Sequence, residues 1–168
     1  MKKIIPILFV FFLLYGFINK EEILIPTDAI RFRVIANSND PIDQELKMEV
    51  KNALEEELNK LMISAKNSQE AKQIIEENMD NIQNIVNNYT TDNKISFGMN
   101  YFPEKEYHGV NYESGNYESL VITLGNGIGN NWWCVMFPPL CLLEAKNENT
   151  DEINYKFYVQ EIIEKYTS

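Results

Sequence analysis

Apolar residues recur at helical spacing between residue 41 and residue 89. Pro41 suits the first position of a helix, where its missing N–H is no loss, and Ser68 is a suitable N-cap for a second helix. The apolar positions of the first helix are Ile42, Leu46, Val50, Ala53, Leu54, Leu58 and Leu61. Those of the second are Ala71, Ile74, Ile75, Ile82, Ile85, Val86 and Tyr89. Each stripe predicts an amphipathic helix, and the short link between them predicts an antiparallel helical hairpin.

Apolar and polar residues alternate in other stretches, which predicts β-strands. These stretches are residues 29–36, 94–102, 120–124 and 132–137. In the first of them two arginines alternate with apolar residues, so we expect a strand with one buried face. The glycine-rich residues 125–130 lie between two predicted strands and lack the helix that a phosphate-binding loop needs, so we expect a turn there. The predicted fold is α+β, a helical hairpin packed on a mainly antiparallel β-sheet, preceded by an N-terminal hydrophobic export or anchor segment.

The first residues of the chain have the pattern of an export segment. Lys2 and Lys3 precede an apolar run from Ile4 to Ile18, about 15 residues long against the roughly 20 of a comfortable membrane span. Positive charge before the run predicts that the remainder is translocated. Because small residues typical of a cleavage site are scarce, the segment is either a signal peptide or an anchor, and a buried core helix is the less favoured alternative.

These patterns divide the chain into four parts. We expect a signal peptide or N-terminal anchor at residues 1–19 and an exported α+β domain at residues 20–143. A short acidic linker follows at residues 144–152. Residues 153–168 then form a C-terminal helix or strand of the same domain, and the spacing of their apolar residues fits a helix better.

The charge balance excludes one class of partner and limits another. The formal net charge is −10, and removing residues 1–19 takes away two lysines and no acid, which leaves −12 on the exported part. Nucleic-acid binding is not expected, because phosphate affinity comes from clustered Lys and Arg. An acidic domain is also repelled by anionic lipid, so we expect membrane contact through the N-terminal segment alone.

The residue types leave little material for catalysis or for a metal site. With one histidine and two cysteines, the chain lacks the ligands of an all-protein zinc or iron–sulfur site, and we expect no metal and no cofactor. Any nucleophile–histidine pair would have to use His108, which lies in a loop rich in Tyr and Gly. We expect a solvated loop histidine and no enzyme, and an envelope hydrolase is the least favoured class.

Residues 131–141 form the most unusual block of the sequence. Cys134 and Cys141 flank Pro138-Pro139, and in an exported protein this arrangement permits a disulfide, with two buried free thiols as the alternative. Both faces of the predicted strand are apolar: Trp132, Cys134 and Met136 on one, Trp133, Val135 and Phe137 on the other. Since a sheet covered by helices on one side buries one face, the second face meets either another element of the chain or a partner.

Three blocks together resemble the stage II sporulation protein R family. They are the segment from Ala29 to Ser38, the segment from Gly115 to Leu120, and residues 131–141; the leading export segment and the stretch from Tyr155 to Glu161 also fit. The motif positions that match are Arg31, Arg33, Asn37, Trp132, Trp133, Cys134, Pro138, Pro139 and Cys141. The resemblance covers nearly the whole chain, and the tryptophan–cysteine–proline block is its most specific part.

The resemblance implies a signalling protein and not a catalyst. It implies synthesis in the forespore and export into the space between forespore and mother cell. There the protein would activate a membrane-embedded aspartic-type peptidase that processes the sigma-E precursor in the mother cell. Its candidate partner-binding residues are Trp132, Trp133, Arg31, Arg33 and Asn37. The alternative from the residues alone is a cell-envelope glycan-binding module, with sugars stacking on Tyr112, Tyr117, Trp132 and Trp133.

Overall fold

The computed structural model of the chain describes Ile23, residues 25–141 and residues 152–167. The predicted segment 1–19 and nearly all of the predicted linker lie outside these residues. The elements, numbered in chain order, are β1 (Ile30–Ile35), α1 (Pro41–Met62), α2 (Ser68–Glu77), α3 (Met79–Asn87), β2 (Asn93–Phe102), β3 (Lys105–Tyr107), β4 (Val110–Tyr112), β5 (Gly115–Leu124), β6 (Asn131–Phe137) and α4 (Glu152–Thr167).

Four of the strands form one sheet in the order β2-β5-β1-β6, and β3 and β4 form a separate hairpin. Strand β1 pairs parallel with β5 and antiparallel with β6, while β2 and β5 are antiparallel. The prediction of an α+β fold with a mainly antiparallel sheet is therefore confirmed for the described residues. The parallel pair places the ends of β1 and β5 at the same edge of the sheet.

Helices α1, α2 and α3 cover one face of the sheet and bury most of the two predicted apolar stripes. Members of this core include Val50 and Leu54 of α1, Ile75 of α2 and Ile82 of α3. The exceptions are Ile42 of the first stripe, which is 79% exposed, and Tyr89 of the second, which is 43% exposed and lies beyond the end of α3. The helical layer is thus formed by the residues that the sequence pattern selects, apart from one residue at each end of the predicted hairpin.

The prediction of one continuous second helix is wrong, because the helix breaks at Asn78. The backbone of Asn78 is not helical, with φ −106° and ψ 9°, and its side-chain amide donates to the Ile74 carbonyl at 2.8 Å. An asparagine side chain that bonds a nearby carbonyl competes with the helical backbone bonds. The predicted start is also shifted, since Asn67 is the N-cap and accepts from the Glu70 N–H, while Ser68 Oγ donates to Asp28.

The opposite face of the sheet is covered by the β3–β4 hairpin and by α4. This second core includes Phe102, Tyr112, Trp133 and Tyr155, and the hydroxyls of Tyr112 and Tyr155 lie 3.0 Å apart. Residues 152–167 form a helix, the favoured of the two predicted alternatives for the tail. Both faces of β6 are therefore buried within the chain.

Two details of face assignment differ from the sequence pattern. Phe137 lies in the helix-side core and not beside Trp133, because the β1–β6 register shifts between Ile30 and Arg31. Such a shift moves the following residue to the other face. Strand β1 was expected to bury one face, yet Arg31 is fully buried on the second.

No helix of the described residues is long and apolar enough to cross a membrane. The apolar run from Ile4 to Ile18 is not part of the residues that were described.

Candidate interaction site

The pairing of β1 with β6 brings the predicted site residues close to one another in the sheet. Arg33 lies opposite Trp133, and Val34 lies opposite Trp132. Asn37 lies two residues after the end of β1, at the end of the sheet where β6 begins. The structure divides these residues between three environments: a buried aromatic box, the helix-side core and an exposed loop pair.

Arg31 and Trp133 belong to the buried aromatic box. The Arg31 guanidinium lies 3.5 Å from the ring centre of Tyr117, 4.8 Å from that of Trp133 and 5.0 Å from that of Phe102. It donates to the Glu113 carbonyl at 3.0 Å, whereas its Nε and Nη1 have no hydrogen-bond partner among the described residues. Burial lowers the pKa of Arg31 to about 10. With Arg31 fully buried and Trp133 7% exposed, this part of the predicted site is core.

Arg33 lies at the margin of the same box and is half-buried. Its guanidinium is 3.8 Å from the ring centre of Phe102 and donates to the Tyr101 carbonyl at 2.8 Å. Burial lowers the pKa of Arg33. The two arginines therefore hold the end of β2 over this face of the sheet.

Trp132 points to the opposite, helix-covered side and keeps part of its ring accessible. Its ring packs edge-on against Phe32 at 5.8 Å, and the Lys51 ammonium lies 4.6 Å from its ring centre. Lys51 is also paired with Glu55 in α1. A cation over an indole face is an attractive contact, so Trp132 fastens β6 to α1.

Cys134 and Cys141 form a disulfide, one of the two predicted alternatives. Their Cα atoms are 5.4 Å apart, and both residues are buried. The bond closes the loop that contains Pro138 and Pro139 and joins the end of β6 to the residues that follow. Both cysteines belong to the helix-side core, so the bond fixes the chain that follows β6 against this core.

Replacing both cysteines by alanine is expected to lower the free energy of unfolding by about 2.5 kcal/mol, because the open loop regains entropy in the unfolded chain. Urea unfolding of the oxidised protein and of the double variant measures the difference. A thiol titration of the denatured, unreduced protein should detect no free thiol. Two titrated thiols would contradict the disulfide.

Asn37 lies at the centre of a largely exposed surface, which we name the tip and which consists of residues 36–44 (a loop and the first turn of α1) and the loop 125–130. Its side chain donates to Asp43 at 2.8 Å and accepts from the backbone N–H of Asn126 at 2.9 Å. Ser38 donates to the same Asp43 carboxylate at 2.6 Å. These hydrogen bonds hold the pKa of Asp43 below its usual value, and the bond from Ser38 has the largest effect. Asn37 therefore locks the two loops to each other.

The backbone of the glycine-rich loop is fully occupied by internal hydrogen bonds. Each N–H from Gly125 to Asn130 donates to an acceptor within the chain, among them the carbonyls of Ala36 and Asn37 and the side chains of Asn37 and Asn39. Gly125 and Gly127 have φ of 54° and 64°, and a Cβ at Gly129 would overlap the Ser38 carbonyl. The predicted turn is confirmed, and no amide is left to bind a phosphate.

His108 occupies the turn of the β3–β4 hairpin. Its φ is 47°, and that of Gly109 is 72°, which matches a two-residue hairpin turn with positive φ at both positions. The His108 ring lies 5.1 Å from that of Tyr155 in α4. Within the residues that are described, no three His, Cys, Asp or Glu side chains are grouped as a metal site would require.

Two exposed isoleucines of the tip were not identified from the sequence. Ile128 is 77% exposed, and Ile42, in the first turn of α1, is 79% exposed. Ile42 was assigned to the buried stripe because its spacing fits, and Ile128 lies in a loop without periodicity. The sequence did offer one signal that Ile128 is exposed. It lies between two glycines in a loop that is too short to form its own core.

Comparisons with known proteins place the chain in a family. The family profile described as Stage II sporulation protein R matches residues 26–147. Stage II sporulation protein R of Bacillus subtilis (strain 168) is 33% identical over 190 aligned residues, which cover 99% of this chain and 85% of that protein. No solved structure matches the chain. Since the profile matches most of the chain and the relative is similar along nearly all of it, the chain belongs to the Stage II sporulation protein R family.

Proposed function

We propose that this protein is an exported sporulation signal. It is made in the forespore and exported into the space between forespore and mother cell, where its N-terminal segment either is removed or anchors it. There it activates a membrane-embedded aspartic-type peptidase, which processes the sigma-E precursor in the mother cell. Membership of a sporulation family supports the cellular role. In this role the protein binds and does not catalyse, and it needs neither a cofactor nor a metal.

The observation that carries the export step is the Cys134–Cys141 disulfide. Disulfides persist outside the reducing cytosol and are rare inside it. The apolar run from Ile4 to Ile18 after two lysines is the matching sequence feature, because it has the composition of an export segment. Two independent features, one at each end of the chain, thus support the same compartment.

The activation step is proposed to be differential binding. The exported domain binds the active state of the receptor peptidase more tightly than the inactive state, and so shifts the receptor between them. A shift from 1:99 to 99:1 requires about 5.5 kcal/mol of preference. A few well-packed apolar side chains with a polar rim supply energies of that size, and a rigid surface loses little entropy on binding.

Co-expression in non-sporulating cells tests the proposal. The receptor peptidase and the sigma-E precursor are produced with and without this protein, and precursor cleavage is followed on immunoblots. We expect cleavage only when all three proteins are present. Deletion of residues 2–19 should abolish it, because the domain then stays in the cytosol.

Two controls make the result decisive. Replacing residues 1–19 by an unrelated cleavable signal peptide should restore cleavage, since the proposal requires export and not this particular sequence. Cleavage that persists in the deletion variant would contradict an exported signal. Absence of cleavage, with both partner proteins verified in the membrane fraction, would contradict activation itself.

The alternative of a glycan-binding module has less support from the geometry. Tyr112, Tyr117 and Trp133 are buried, so three of the four rings expected to stack on sugars are packed inside the domain. Trp132 alone among them keeps an accessible part of its ring. Retention on purified peptidoglycan that is saturable and is lost in Trp132→Ala would favour this alternative.

A further inference from the structure

The tip is an exposed surface that many internal hydrogen bonds hold in place. Asn37 and Ser38 hold Asp43, Gln44 donates to the Ser38 carbonyl at 2.8 Å, and the loop amides from Gly125 to Asn130 are all bonded internally. An exposed loop without such bonds samples many conformations and loses entropy when a partner orders it. The tip therefore has the rigidity of a surface prepared for contact.

The same tip presents apolar side chains to solvent. Ile128 projects from the loop whose backbone is fixed against Asn37, and Ile42 projects from the first turn of α1. Such exposure leaves most of both side chains hydrated, and burying either of them against a partner removes apolar surface from water and so favours binding. Two rigidly held isoleucines are thus a source of binding energy that the folded domain leaves unused.

The charged residues that belong to the tip are all acidic. Residues 36–44 and 125–130 contain the acids Asp40 and Asp43 and no Lys or Arg. The Lys47 ammonium contacts the tip from below, donating to Gln44 at 2.7 Å and to the Asn130 carbonyl at 3.4 Å, but Lys47 is buried and does not face solvent. Asp43, whose pKa lies below its usual value, is ionised at neutral pH. A complementary surface therefore has an apolar socket with basic side chains at its rim.

We propose that the tip is the surface by which this protein docks on the extracytoplasmic face of its receptor peptidase. Ile42 and Ile128 enter an apolar socket of the receptor, and Asp40 and Asp43 face basic groups around it. This inference rests on the proposed function and adds to it the contact surface and the chemistry of the partner. It places the interface at the end of the sheet beside Asn37, and not at Arg31 and Trp133, which are buried.

The position of the tip in the fold agrees with this assignment. The chain enters β1 at Ile30, coming from the N-terminal segment, and leaves it at Ile35 toward the tip. Six residues of strand separate the two ends by about 20 Å. The tip thus lies at the end of β1 opposite the point where the chain enters the strand, so a chain that is attached through its N-terminus leaves the tip accessible.

Variants of the full chain in the co-expression assay test the inference. We expect Ile128→Asp and Ile42→Asp each to abolish precursor cleavage. In pull-downs with the detergent-solubilised receptor peptidase, each should weaken binding about tenfold or more. Ile63→Asp is the matched control, because Ile63 is 63% exposed at the other end of α1 and the change adds the same charge. Wild-type binding should also weaken as sodium chloride is raised, since salt screens the acidic rim.

The outcomes separate the inference from the proposed function. If the wild type does not activate cleavage, the proposed function fails, and the inference fails with it. If the wild type is active and Ile128→Asp and Ile42→Asp are equally active, the tip is not the docking surface although the signal is real. Equal loss in Ile63→Asp would attribute the effect to added charge and overturn the inference. Tip-dependent binding to receptor-free phosphatidylglycerol vesicles would make the tip a lipid contact and overturn it as well.

Folding of each variant is checked without relying on activity. The full-length variants should accumulate to the wild-type level and keep the disulfide-dependent mobility shift on non-reducing gels. Where an aspartate variant fails this check, Ile128→Ser and Ile63→Ser replace the pair, because serine shortens the side chain without adding charge. Wild-type activity in Ile128→Ser would then contradict the inference.

Discussion

Replacing Trp133 by alanine is expected to lower the free energy of unfolding by about 3–5 kcal/mol, the range for removing a buried tryptophan. The indole ring is in edge-on contact with Phe102 at 5.3 Å and Tyr112 at 5.9 Å. The Arg31 guanidinium and the Lys105 ammonium also lie within 5 Å of its ring centre. Alanine leaves a cavity between β2, the β3–β4 hairpin and β6, which these rings cannot fill without repacking.

The neighbouring tryptophan is the matched control. Trp132 is partly exposed and contacts Phe32 and Lys51 on the other side of the sheet, so Trp132→Ala should cost about half as much. Urea unfolding followed by far-ultraviolet circular dichroism measures both variants, since fluorescence itself changes when a tryptophan is removed. A loss below 1 kcal/mol for Trp133→Ala, or a larger loss for Trp132→Ala, would contradict the two-sided core described above.

The contrast between the two tryptophans shows how far local sequence determines the fold. Alternation along residues 132–137 correctly indicated that both faces of this strand are apolar. It left open what covers the second face, because the cover comes from β3, β4 and α4, which lie 15 or more residues away on either side. The hairpin is short and largely polar, and only its tertiary contacts make it part of a core.

Residue-specific side-chain bonds explain the other differences. The stripe that predicts one helix from residue 68 to residue 89 is correct for the buried face as far as Val86, and it does not reveal that the side chain of Asn78 bonds the Ile74 carbonyl. In the same way, Asn37 reaches Asn126 across 89 positions of the sequence. Periodicity reports which face is buried, whereas polar contacts between distant loops have no periodic signal.

The charge of Arg31 is buried without a carboxylate partner among the described residues. Its effect on stability therefore depends on whether its other contacts offset the loss of hydration. Stacking on Tyr117, Phe102 and Trp133 and one bond to the Glu113 carbonyl offset part of the desolvation. The pKa of Arg31 nevertheless falls from 12.5 to about 10 through burial. A base whose pKa is lower in the folded state makes folding less favourable while it is charged, and this cost is relieved only as the pH rises through about 10. At neutral pH the charge is thus destabilising overall.

The free energy of unfolding of Arg31→Met is therefore expected to equal that of the wild type or to exceed it by up to about 2 kcal/mol, since an apolar side chain of similar length replaces an uncompensated charge. The Glu113 carbonyl keeps a partner in this variant, because the Tyr117 hydroxyl also donates to it at 3.1 Å. Arg31→Ala, in contrast, should lower the free energy of unfolding by about 2–4 kcal/mol, because the space between three aromatic rings is left empty. Urea unfolding at pH 7 compares the three proteins.

The two Arg31 variants separate packing from charge. If Arg31→Met loses as much stability as Arg31→Ala, stacking of the guanidinium on the rings outweighs its desolvation, and the direction argued from the pKa is wrong. If Arg31→Met is stable and still supports precursor cleavage, Arg31 acts through packing alone, and the contact with the receptor lies elsewhere, as at the tip. If it is stable and inactive, the charge itself is required for activity. A buried charge that destabilises the fold would then be kept because the signal depends on it.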